Sequence, residues 1–343
     1  MPFHAPKALD SLSQEAEQAL AARSSLQFYI KAATSQNTRR SYQADIRHFY
    51  GWGGKLPATT DMLLQYLQTY AALLNPKTLK RRLIAIKHWH TFHEAPDPTA
   101  HPLVKKAFSG ILHVHGKPAE KAKPLSAEQL TKIADILKQQ TTLANSRNNA
   151  LLQTGFFGAF RRSELTALCW EHITYVPQGM EILIPRSKTD QEGVGEVIAL
   201  PYGNHLLCPV NALKEWQIKL SSPKTGPVFC RLLKNQQPTL QALSTQSVNT
   251  IIKSVAKACQ LPDAENYSGH SLRRGFATTA SQQGATLGSI MRQGRWRNET
   301  TVHGYIQEGQ RFESNAATKI LENLTPAMGL SITQDGTVAD GRD

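Results

Sequence analysis

The sequence contains few cysteines and no long apolar run. Its four cysteines, Cys169, Cys208, Cys230 and Cys259, form no C-x-x-C pair, which is typical of reduced thiols in a cytoplasmic protein and not of a disulfide framework. No stretch approaches the roughly 20 consecutive apolar residues that a membrane-spanning helix needs. The first residues also lack the apolar centre of a secretory signal. We therefore expect a cytoplasmic protein without a membrane partner.

Acidic residues are scarce relative to basic ones. The chain has 26 Asp and Glu against 39 Lys and Arg, which gives a formal net charge of +13 before histidine is counted. Such an excess of positive charge favours a polyanionic partner, either nucleic acid or an anionic membrane surface. Because no membrane partner is expected, nucleic acid is the favoured one. The length of 343 residues also exceeds the roughly 250–300 residues at which a single core stops growing, so two domains are expected.

The N-terminal third is patterned as a small bundle of amphipathic helices. Tyr42, Ile46 and Phe49 stand at helical spacing, and the same period recurs over residues 63–74 and 79–89. Basic residues exceed acidic ones on and after these helices, which favours a DNA-facing surface. The residues predicted to contact DNA here are Arg39, Arg40, Arg47, Lys77, Lys80, Arg81, Arg82 and Lys87.

Histidines also concentrate in this part of the chain. His88, His90 and His93 raise the possibility of a zinc site, but His88 and His90 lie on different faces of the predicted helix and no cysteine is near. The basic, DNA-facing surface is therefore the favoured interpretation, and no metal is expected.

A change of composition marks the start of a second domain. Residues 113–124, HVHGKPAEKAKP, are small, charged and punctuated by proline, which predicts an exposed linker. The capping-box sequence SAEQ follows and opens a helix. Beyond it most patterns are helical, while MEILIPRSKTDQEGVGEVIALP predicts two short strands joined by a turn. The fold class is therefore mainly α with a small antiparallel β-sheet.

The end of the chain carries one more helical pattern. An apolar stripe of Phe312, Ala316, Ile320 and Leu324 predicts a C-terminal helix over about residues 311–325, and the polar sequence after it is typical of disorder. The expected parts are a flexible N-terminus with the start of a first helix (1–24), an N-terminal helical domain (25–112), the linker (113–124), a second domain (125–327) and a disordered tail (328–343).

The stretch GHSLRRGF concentrates positive charge in the second domain. If it opens a helix, His270 and Arg273 stand three residues apart on one face, while Arg274 points elsewhere, as a backbone contact or a surface charge. Taken alone, such a pair is most often a solvated basic face. Two cations that converge on one spot need an anion there, and the planar fork of arginine suits phosphate.

Three other stretches favour a phosphate site. In GAFRRSEL, Arg161 follows an almost uncharged helix, where a solvated charge is unexpected, and Glu164 is placed to orient it. Lys188 lies at the tip of the predicted strand pair, although alone it is an ordinary turn lysine. GRWRNETTVHGYIQEG places Trp296 nine residues before Tyr305.

The order of these motifs is more specific than any one of them. R-x-x-E-L, a lysine in a hairpin, H-x-L-R, G-x-W and then Y-I resemble the tyrosine recombinases, also called the phage integrase family, over residues 26–324 and most closely over 156–306. The resemblance implies a SAM-like core-binding domain and a catalytic domain that together form a C-shaped clamp on DNA. It also implies site-specific strand exchange through a covalent 3′-phosphotyrosyl intermediate and a Holliday junction.

The resemblance assigns roles to seven residues. Tyr305 is the expected nucleophile, Lys188 the general acid on the leaving 5′ oxygen, and Glu164 a support for the basic groups. The remaining four are expected around the scissile phosphate, as two arginine clamps, an acid/base or hydrogen-bond donor, and an indole donor: Arg161, Arg273, His270 and Trp296.

The resemblance also implies the partners. We expect double-stranded DNA with an inverted-repeat site, a monomer in free solution and a homotetramer on DNA, with two protomers active at a time and the C-terminal helix packed on a neighbouring protomer or in cis. The location is cytoplasmic, on DNA of a prokaryote, phage or plasmid. No cofactor is expected, because the phosphotyrosine keeps the energy of the broken bond and the chain has no Walker motif.

One position departs from the family pattern. Arg295 stands where the family usually has Gly, directly before Trp296, so either it adds a phosphate contact or the turn is built differently. We include Arg274 and Arg295 among the predicted DNA contacts. Two alternatives to a recombinase remain: a type IB topoisomerase or telomere resolvase, which usually has further domains, and a non-catalytic DNA-binding architectural protein, which need not retain Tyr305 and Lys188 together.

Overall fold

The computed structural model describes residues 26, 28–30, 33–118, 121–140, 142–185, 195–309, 316–317 and 320–321. Lys188, Phe312 and Leu324 lie outside these residues, as do the whole of the predicted N-terminal segment (1–24), most of the predicted C-terminal helix (311–325) and the predicted disordered tail (328–343). The chain divides into two compact units, Met1–Ala119 and Glu120–Asp343. This division falls inside the predicted linker, whose first residues still belong to a helix that ends at His115.

The first unit is a helical bundle, as predicted. Its described elements are α1 (Gln36–Gly51), α2 (Thr60–Tyr70), α3 (Pro76–Phe92), a 3₁₀ turn (Pro98–Ala100) and α4 (Pro102–His115). The starts of α1 to α3 are set locally, because Ser35, Thr59 and Asn75 each accept a main-chain N–H of the first turn. The helices enclose a core of Phe49, Leu63, Tyr66, Leu67, Leu79, Ile86 and Val104.

The second unit is mainly helical, with two small antiparallel sheets. Its helices are α5 (Ala127–Gln139), α6 (Leu143–Phe157), α7 (Arg162–Ala167), α8 (Pro209–Lys219), α9 (Thr245–Ala258), α10 (Gly269–Gln282), α11 (Leu287–Gly294) and α12 (Glu299–Gly309). Its strands are β1 (Ile173–Val176), β2 (Gly179–Ile184), β3 (Glu196–Pro201), β4 (Cys230–Leu232) and β5 (Pro238–Ala242). None of the described helices is both long and apolar enough to cross a membrane.

The sheets are simple. The order in the first is β1-β2-β3, and Ile182 of β2 lies opposite Ile173 and Ile198, so that one face carries apolar residues to the core. β4 and β5 form a separate pair. The two strands predicted on either side of the Lys188 turn are therefore confirmed as β2 and β3, whereas β1, β4 and β5 were not predicted.

Helix α6 forms the centre of the second unit. Ala150, Leu151, Leu152 and Phe156 are buried on different sides of it, and it packs against α5, α8 and α10. A helix with apolar residues on every side is stable only when it is covered all round. The C-terminal end of α6 is consequently held at a fixed place inside the unit, and the candidate active site is built at that end.

The first residues of the second unit are fastened to α10. Leu125 donates its main-chain N–H to the Ser271 carbonyl at 3.1 Å, and the Arg274 guanidinium donates to the Ala122 carbonyl. A side chain at Gly275 would overlap the Leu125 carbonyl, so glycine is what lets the two segments come this close. The capping box predicted for α5 directly afterwards is confirmed, with Ser126 and Gln129 bonded in both directions.

Candidate active site

The carbonyl groups at the end of α6 form the floor of the site. Gly158 caps the helix, and Ala159 turns the chain through a left-handed conformation, with φ of 44°. The Ala159 carbonyl accepts a hydrogen bond from Arg273 Nη1 and one of 3.5 Å from Arg295 Nη2, and the Gly158 carbonyl accepts one of 3.2 Å from Arg295 Nη1. The C-terminal end of a helix carries partial negative charge, so it is suited to hold cations.

Glu164 connects two of the arginines beside this floor. Arg161 occupies the cap position of α7, where its main-chain N–H donates to Glu164 Oε2 at 2.8 Å and its Nη1 donates to Oε1 at 2.7 Å. Arg295 Nη2 donates to Oε2 from the other side, also at 2.7 Å. Burial alone would raise the pKa of Glu164, but Arg295 and Arg161 outweigh it and hold that pKa below its usual value. The carboxylate is therefore ionised and shared.

The first turn of α10 supplies the next two groups. Ser268 caps the helix by accepting the His270 main-chain N–H at 3.2 Å, and Asn249 Oδ1 accepts that of Gly269 at 2.9 Å. Gly269 packs against the Arg162 side chain, which leaves no space for a larger residue. These contacts fix the direction of the helix, with His270 exposed in its first turn and Arg273 buried one turn later.

Arg273 is a buried cation that forms no ion pair with a carboxylate of the described residues. Its guanidinium carbon lies 4.0 Å from the ring centroid of Trp296, and its Nη2 has no hydrogen-bond partner among the described residues. Burial and the charges of Arg161 and Arg295 lower its pKa to about 9, against smaller opposite effects of Glu164 and Tyr305. Guanidinium groups crowd here around a single carboxylate, which is the arrangement that a phosphate would stabilise.

Tyr305 completes the site from α12. Its hydroxyl oxygen lies 3.0 Å from His270 Nε2, and its ring meets that of Trp296 edge on, with 6.1 Å between the centroids. The apolar cluster of Ala277, Ile290 and Val302 holds α12 against α10 and α11. Thr278 Oγ1 also donates to the Tyr305 carbonyl at 3.3 Å.

The groups around His270 favour its neutral form. Desolvation by its surroundings comes first, followed by the positive charges of Arg273, Arg274, Arg162 and Arg161, and together they lower the pKa of His270. A neutral imidazole beside a phenol can accept its proton.

The structure thus brings together six of the seven residues predicted for the catalytic centre, and the seventh, Lys188, lies outside the described residues. The six are Arg161, Glu164, His270, Arg273, Trp296 and Tyr305.

Two predicted DNA contacts of this unit are instead buried. The Arg274 guanidinium donates to the protein's own Ala122 carbonyl and lies 5.4 Å from the ring centroid of Tyr305, so Arg274 is not the surface charge that was predicted. Arg295 is buried against Glu164, and the left-handed conformation of its backbone shows that the turn is built to carry it inward. Burial does not support a direct phosphate contact for either residue.

The predicted DNA contacts of the first unit fall into two groups. Arg81 donates two hydrogen bonds of 2.8 Å to the buried Asp45, and Arg82 is itself buried, donating to His48 and Tyr66, so Arg82 does not face DNA as it was predicted to. Arg39 donates to the Thr34 carbonyl. The exposed members of the set are Arg40, Arg47, Lys77, Lys80, Lys87 and also Arg81, whose side chain is 51% exposed although it is paired with Asp45.

The histidines of α3 have structural roles. His90 is fully buried, where its Nε2 accepts the Ala58 N–H and its Nδ1 donates to the Ile86 carbonyl, both at 2.9 Å. His93 stacks on Trp89 with 3.9 Å between ring centroids. Among the described residues no group of three or more His, Cys, Asp or Glu is arranged to hold a metal ion.

Sequence reasoning missed the groups that hold the arginines. No sequence motif marks these groups, which are the carbonyls of Gly158 and Ala159, the side chain of Asn249 and the buried side chain of Arg295. The one available signal was the arginine at a position where glycine is expected.

Comparison with known proteins agrees with this geometry. The phage integrase family matches residues 123–311, and the N-terminal SAM-like domain of phage integrases matches residues 26–95. The integrase/recombinase xerD homolog of Selenomonas ruminantium is 35% identical over 300 residues, which cover 85% of this chain and 87% of that protein. Recombinase cre of Escherichia phage P1 is 26% identical over 288 residues, covering 79% and 81%.

Solved structures share the fold. A XerH site-specific recombinase in a post-cleavage complex with palindromic difH substrate superposes with a TM-score of 0.58 at 22% identity, covering 77% of this chain and 72% of that one. A lambda integrase tetramer bound to a Holliday junction gives a TM-score of 0.58 at 17% identity, covering 90% and 79%. The chain belongs to the phage integrase family and is a site-specific tyrosine recombinase.

Proposed function

We propose that Tyr305 attacks a DNA phosphodiester and forms a 3′-phosphotyrosyl bond. The observation that carries this proposal is the 3.0 Å approach of the Tyr305 hydroxyl to His270 Nε2, beside a buried Arg273 whose Nη2 lacks a partner among the described residues. The new Tyr305 Oη–P bond forms as the bond from phosphorus to the 5′ oxygen breaks. The electron pair of the broken bond leaves with that oxygen.

Two proton transfers accompany this step. His270, neutral because its pKa is lowered, accepts the phenolic proton of Tyr305. Lys188 donates a proton to the leaving 5′ oxygen. The resemblance to the family supports the role of Lys188, and a general acid of this kind contributes roughly 10²–10⁴-fold in rate.

Arg161, Arg273 and Trp296 bind the phosphate. Negative charge grows on its non-bridging oxygens as the fifth bond to phosphorus forms, and guanidinium groups that are already in place stabilise it without reorganisation. Arg273 is fixed between Trp296 and the Ala159 carbonyl, and Arg161 is fixed by Glu164. Glu164 is a positioning residue, since both its oxygens are already engaged by protein groups.

Rejoining reverses these steps with a new 5′ hydroxyl. The phosphotyrosyl ester retains the energy of the original bond, so the exchange needs no cofactor, and two successive exchanges pass through a Holliday junction. We propose that the enzyme is a monomer in solution and a tetramer on two inverted-repeat sites in double-stranded DNA, with two protomers active at a time. The relatives solved on a palindromic substrate and on a Holliday junction support this assembly.

Each unit has its own part in DNA binding. We propose residues 25–112 as the core-binding domain, 125–327 as the catalytic domain and the cytoplasm as the location. Five of the predicted DNA contacts in the first unit are exposed and are not paired with Asp45, so they are suited to phosphate contacts: Arg40, Arg47, Lys77, Lys80 and Lys87.

A nicked suicide duplex tests the proposal. Its sequence comes from the inverted repeat that the protein selects from genomic fragments, and a labelled strand that stays with the protein in denaturing gels reports the covalent bond. Wild type and Tyr202→Phe, a control at an exposed tyrosine of the same unit, should form the adduct. Tyr305→Phe should bind the duplex and form none. A persistent adduct in Tyr305→Phe would rule out Tyr305 as the nucleophile.

A further inference from the structure

Arg295 adopts a backbone conformation that a residue with a side chain rarely takes. It ends α11 in the left-handed region, with φ of 55° and ψ of 44°. Glycine, which the family usually has directly before the Trp or His position, takes up this conformation without steric cost, and arginine does not. A strained residue next to a catalytic centre persists only when its surroundings hold it there. The contacts of its side chain show what holds it.

Those contacts are all with protein acceptors. Nη2 donates to Glu164 Oε2 at 2.7 Å, and Nη1 donates to the Gly158 and Gln293 carbonyls at 3.2 and 3.1 Å. The guanidinium also covers the ring of Phe160, 4.9 Å from its centroid, and the side chain is only 1% exposed. No part of it is open to a DNA phosphate.

Arg295 reaches Arg161 by two routes. Its guanidinium holds the Glu164 carboxylate, whose other oxygen binds Arg161 Nη1 at 2.7 Å. Its own main-chain carbonyl accepts Arg161 Nη2 at 3.4 Å. We propose that Arg295 is a positioning residue that directs Arg161 towards the scissile phosphate through Glu164, and that it makes no DNA contact itself. This inference rests on the proposed role of Arg161 in binding that phosphate.

The charge balance predicts a pH signature. Arg295, Arg161 and Arg273 face Glu164, and Glu196 also acts on Arg295. Burial raises the pKa of Glu164, and Arg295 is the largest of the effects that lower it. Removing Arg295 therefore raises that pKa, so Glu164 becomes protonated and releases Arg161 at a higher pH than in the wild type. The acidic limb of the cleavage rate moves towards neutrality.

Three variants and a double variant separate this role from its alternatives. Arg295→Gly restores the residue typical of the family and removes the strain, Arg295→Lys keeps the charge without the planar fork, and Arg297→Gly makes the same change at an exposed neighbour. Single-turnover cleavage of the suicide duplex and DNA affinity are measured from pH 5 to 9 for each. A double-mutant cycle compares Arg295→Gly, Glu164→Gln and the variant that carries both changes.

The expected results differ between the variants. Arg295→Gly should bind DNA within about threefold of wild type, because affinity is spread over many phosphate contacts. Its cleavage should be slower by roughly 10–100-fold, the loss typical of a misplaced catalytic group, with the acidic limb at higher pH. Arg295→Lys should recover part of the rate, and Arg297→Gly should match wild type. In the Glu164→Gln background, Arg295→Gly should add less than about a twofold loss, because both changes break one connection.

Other outcomes overturn the inference. Weaker binding by Arg295→Gly, with a normal rate at saturating DNA, makes Arg295 a DNA contact. A normal rate and pH profile in both Arg295 variants leaves it no role, and additive losses in the double variant place its effect outside Glu164. If Arg295→Gly does not fold, Arg295→Lys decides alone: a wild-type rate and pH profile contradict the proposal. Failure of wild type and Arg297→Gly to form an adduct overturns the proposed function instead.

Discussion

Replacing Glu164 by glutamine removes the charge that two arginines share while keeping a side chain of nearly the same shape. Glu164 and Arg295 are buried, with 2% and 1% of their side chains exposed, and their atoms approach to 2.7 Å. Glutamine can still accept one hydrogen bond, but its amide N–H₂ then faces a guanidinium donor. The substitution leaves Arg295 buried without the carboxylate that it is paired with.

The size of the loss follows from this burial. Removing one partner of a buried ion pair costs about 3–5 kcal/mol, and the acceptor that glutamine retains places the expected loss near the lower end, about 3 kcal/mol. For a unit of the size of residues 120–343, each 1 kcal/mol moves the melting temperature by roughly 2–4 °C. The transition of this unit should therefore fall by about 6–12 °C.

The loss should also depend on pH. The pKa of Glu164 in the folded protein is lowered from the ordinary value of 4.5, so its stabilisation is fully present above that pH and is lost as pH falls through the folded pKa. The difference between wild type and Glu164→Gln should be largest near pH 7 and shrink at pH 4 and below.

Calorimetry of the full chain measures both effects. Glu215→Gln makes the same chemical change at an exposed position of α8 and should change the free energy of unfolding by no more than about 0.5 kcal/mol. A melting temperature of Glu164→Gln within about 2 °C of wild type at pH 7 would refute the reasoning, because it would show that Arg295 needs no carboxylate. A loss that does not vary with pH would mean that shape, and not charge, is what glutamine fails to reproduce.

Three further predictions concern separate parts of the second unit. Arg273→Ala should cleave at least about 100-fold more slowly, the typical cost of losing one preorganised charge-stabilising donor, and should bind DNA within about threefold of wild type. Loss of DNA binding at moderate salt would show instead that Arg273 contributes mainly to affinity. The pKa of His270 is lowered below its unfolded value of 6.5, so the free energy of unfolding of wild type should fall as pH falls through 6.5. In urea unfolding, the free energy of His270→Gln should fall less over the same pH range, and an equal fall in both proteins would contradict the lowered pKa of His270. Trp216→Phe leaves the buried Val228 carbonyl without its 2.7 Å donor and should cost about 2–3 kcal/mol in urea unfolding, with adduct formation at 20 °C unchanged; an unchanged unfolding free energy would refute it.

Periodicity predicted the elements that carry a strong pattern. The first three helices of the first unit, the capping box at Ser126 and the strands β2 and β3 all have regular apolar spacing or a local signal, whereas α4 was not predicted. β5 could not be found in this way, because four of its five residues are exposed and it therefore carries no alternation. β1 and β4 have only four and three residues, which is too short for a period to be read.

The order of motifs predicted which residues meet at the site, but not which arginines are buried. Arg82, Arg274 and Arg295 were all assigned to DNA, and all three bond to protein acceptors inside the fold. A long side chain with an apolar stem and a charged end fits either environment. The deciding partners are often main-chain carbonyls far away in the sequence, such as Ala159, which lies 114 residues before Arg273. Every residue has a main-chain carbonyl, so the residue type does not indicate which carbonyl will accept a hydrogen bond from a distant arginine.

The fastening of residues 122–125 to α10 decides where the second unit can be separated from the first. A protease cut or an engineered start after Leu125 separates the Ala122 carbonyl from Arg274 and the Leu125 N–H from the Ser271 carbonyl. Arg274 and Ser271 both lie within four residues of His270 in the sequence. Trimming the chain at its apparent linker therefore alters the helix that carries His270 and Arg273. A fragment meant to retain cleavage has to begin before Ala122, even though the first helix of the unit starts only at Ala127.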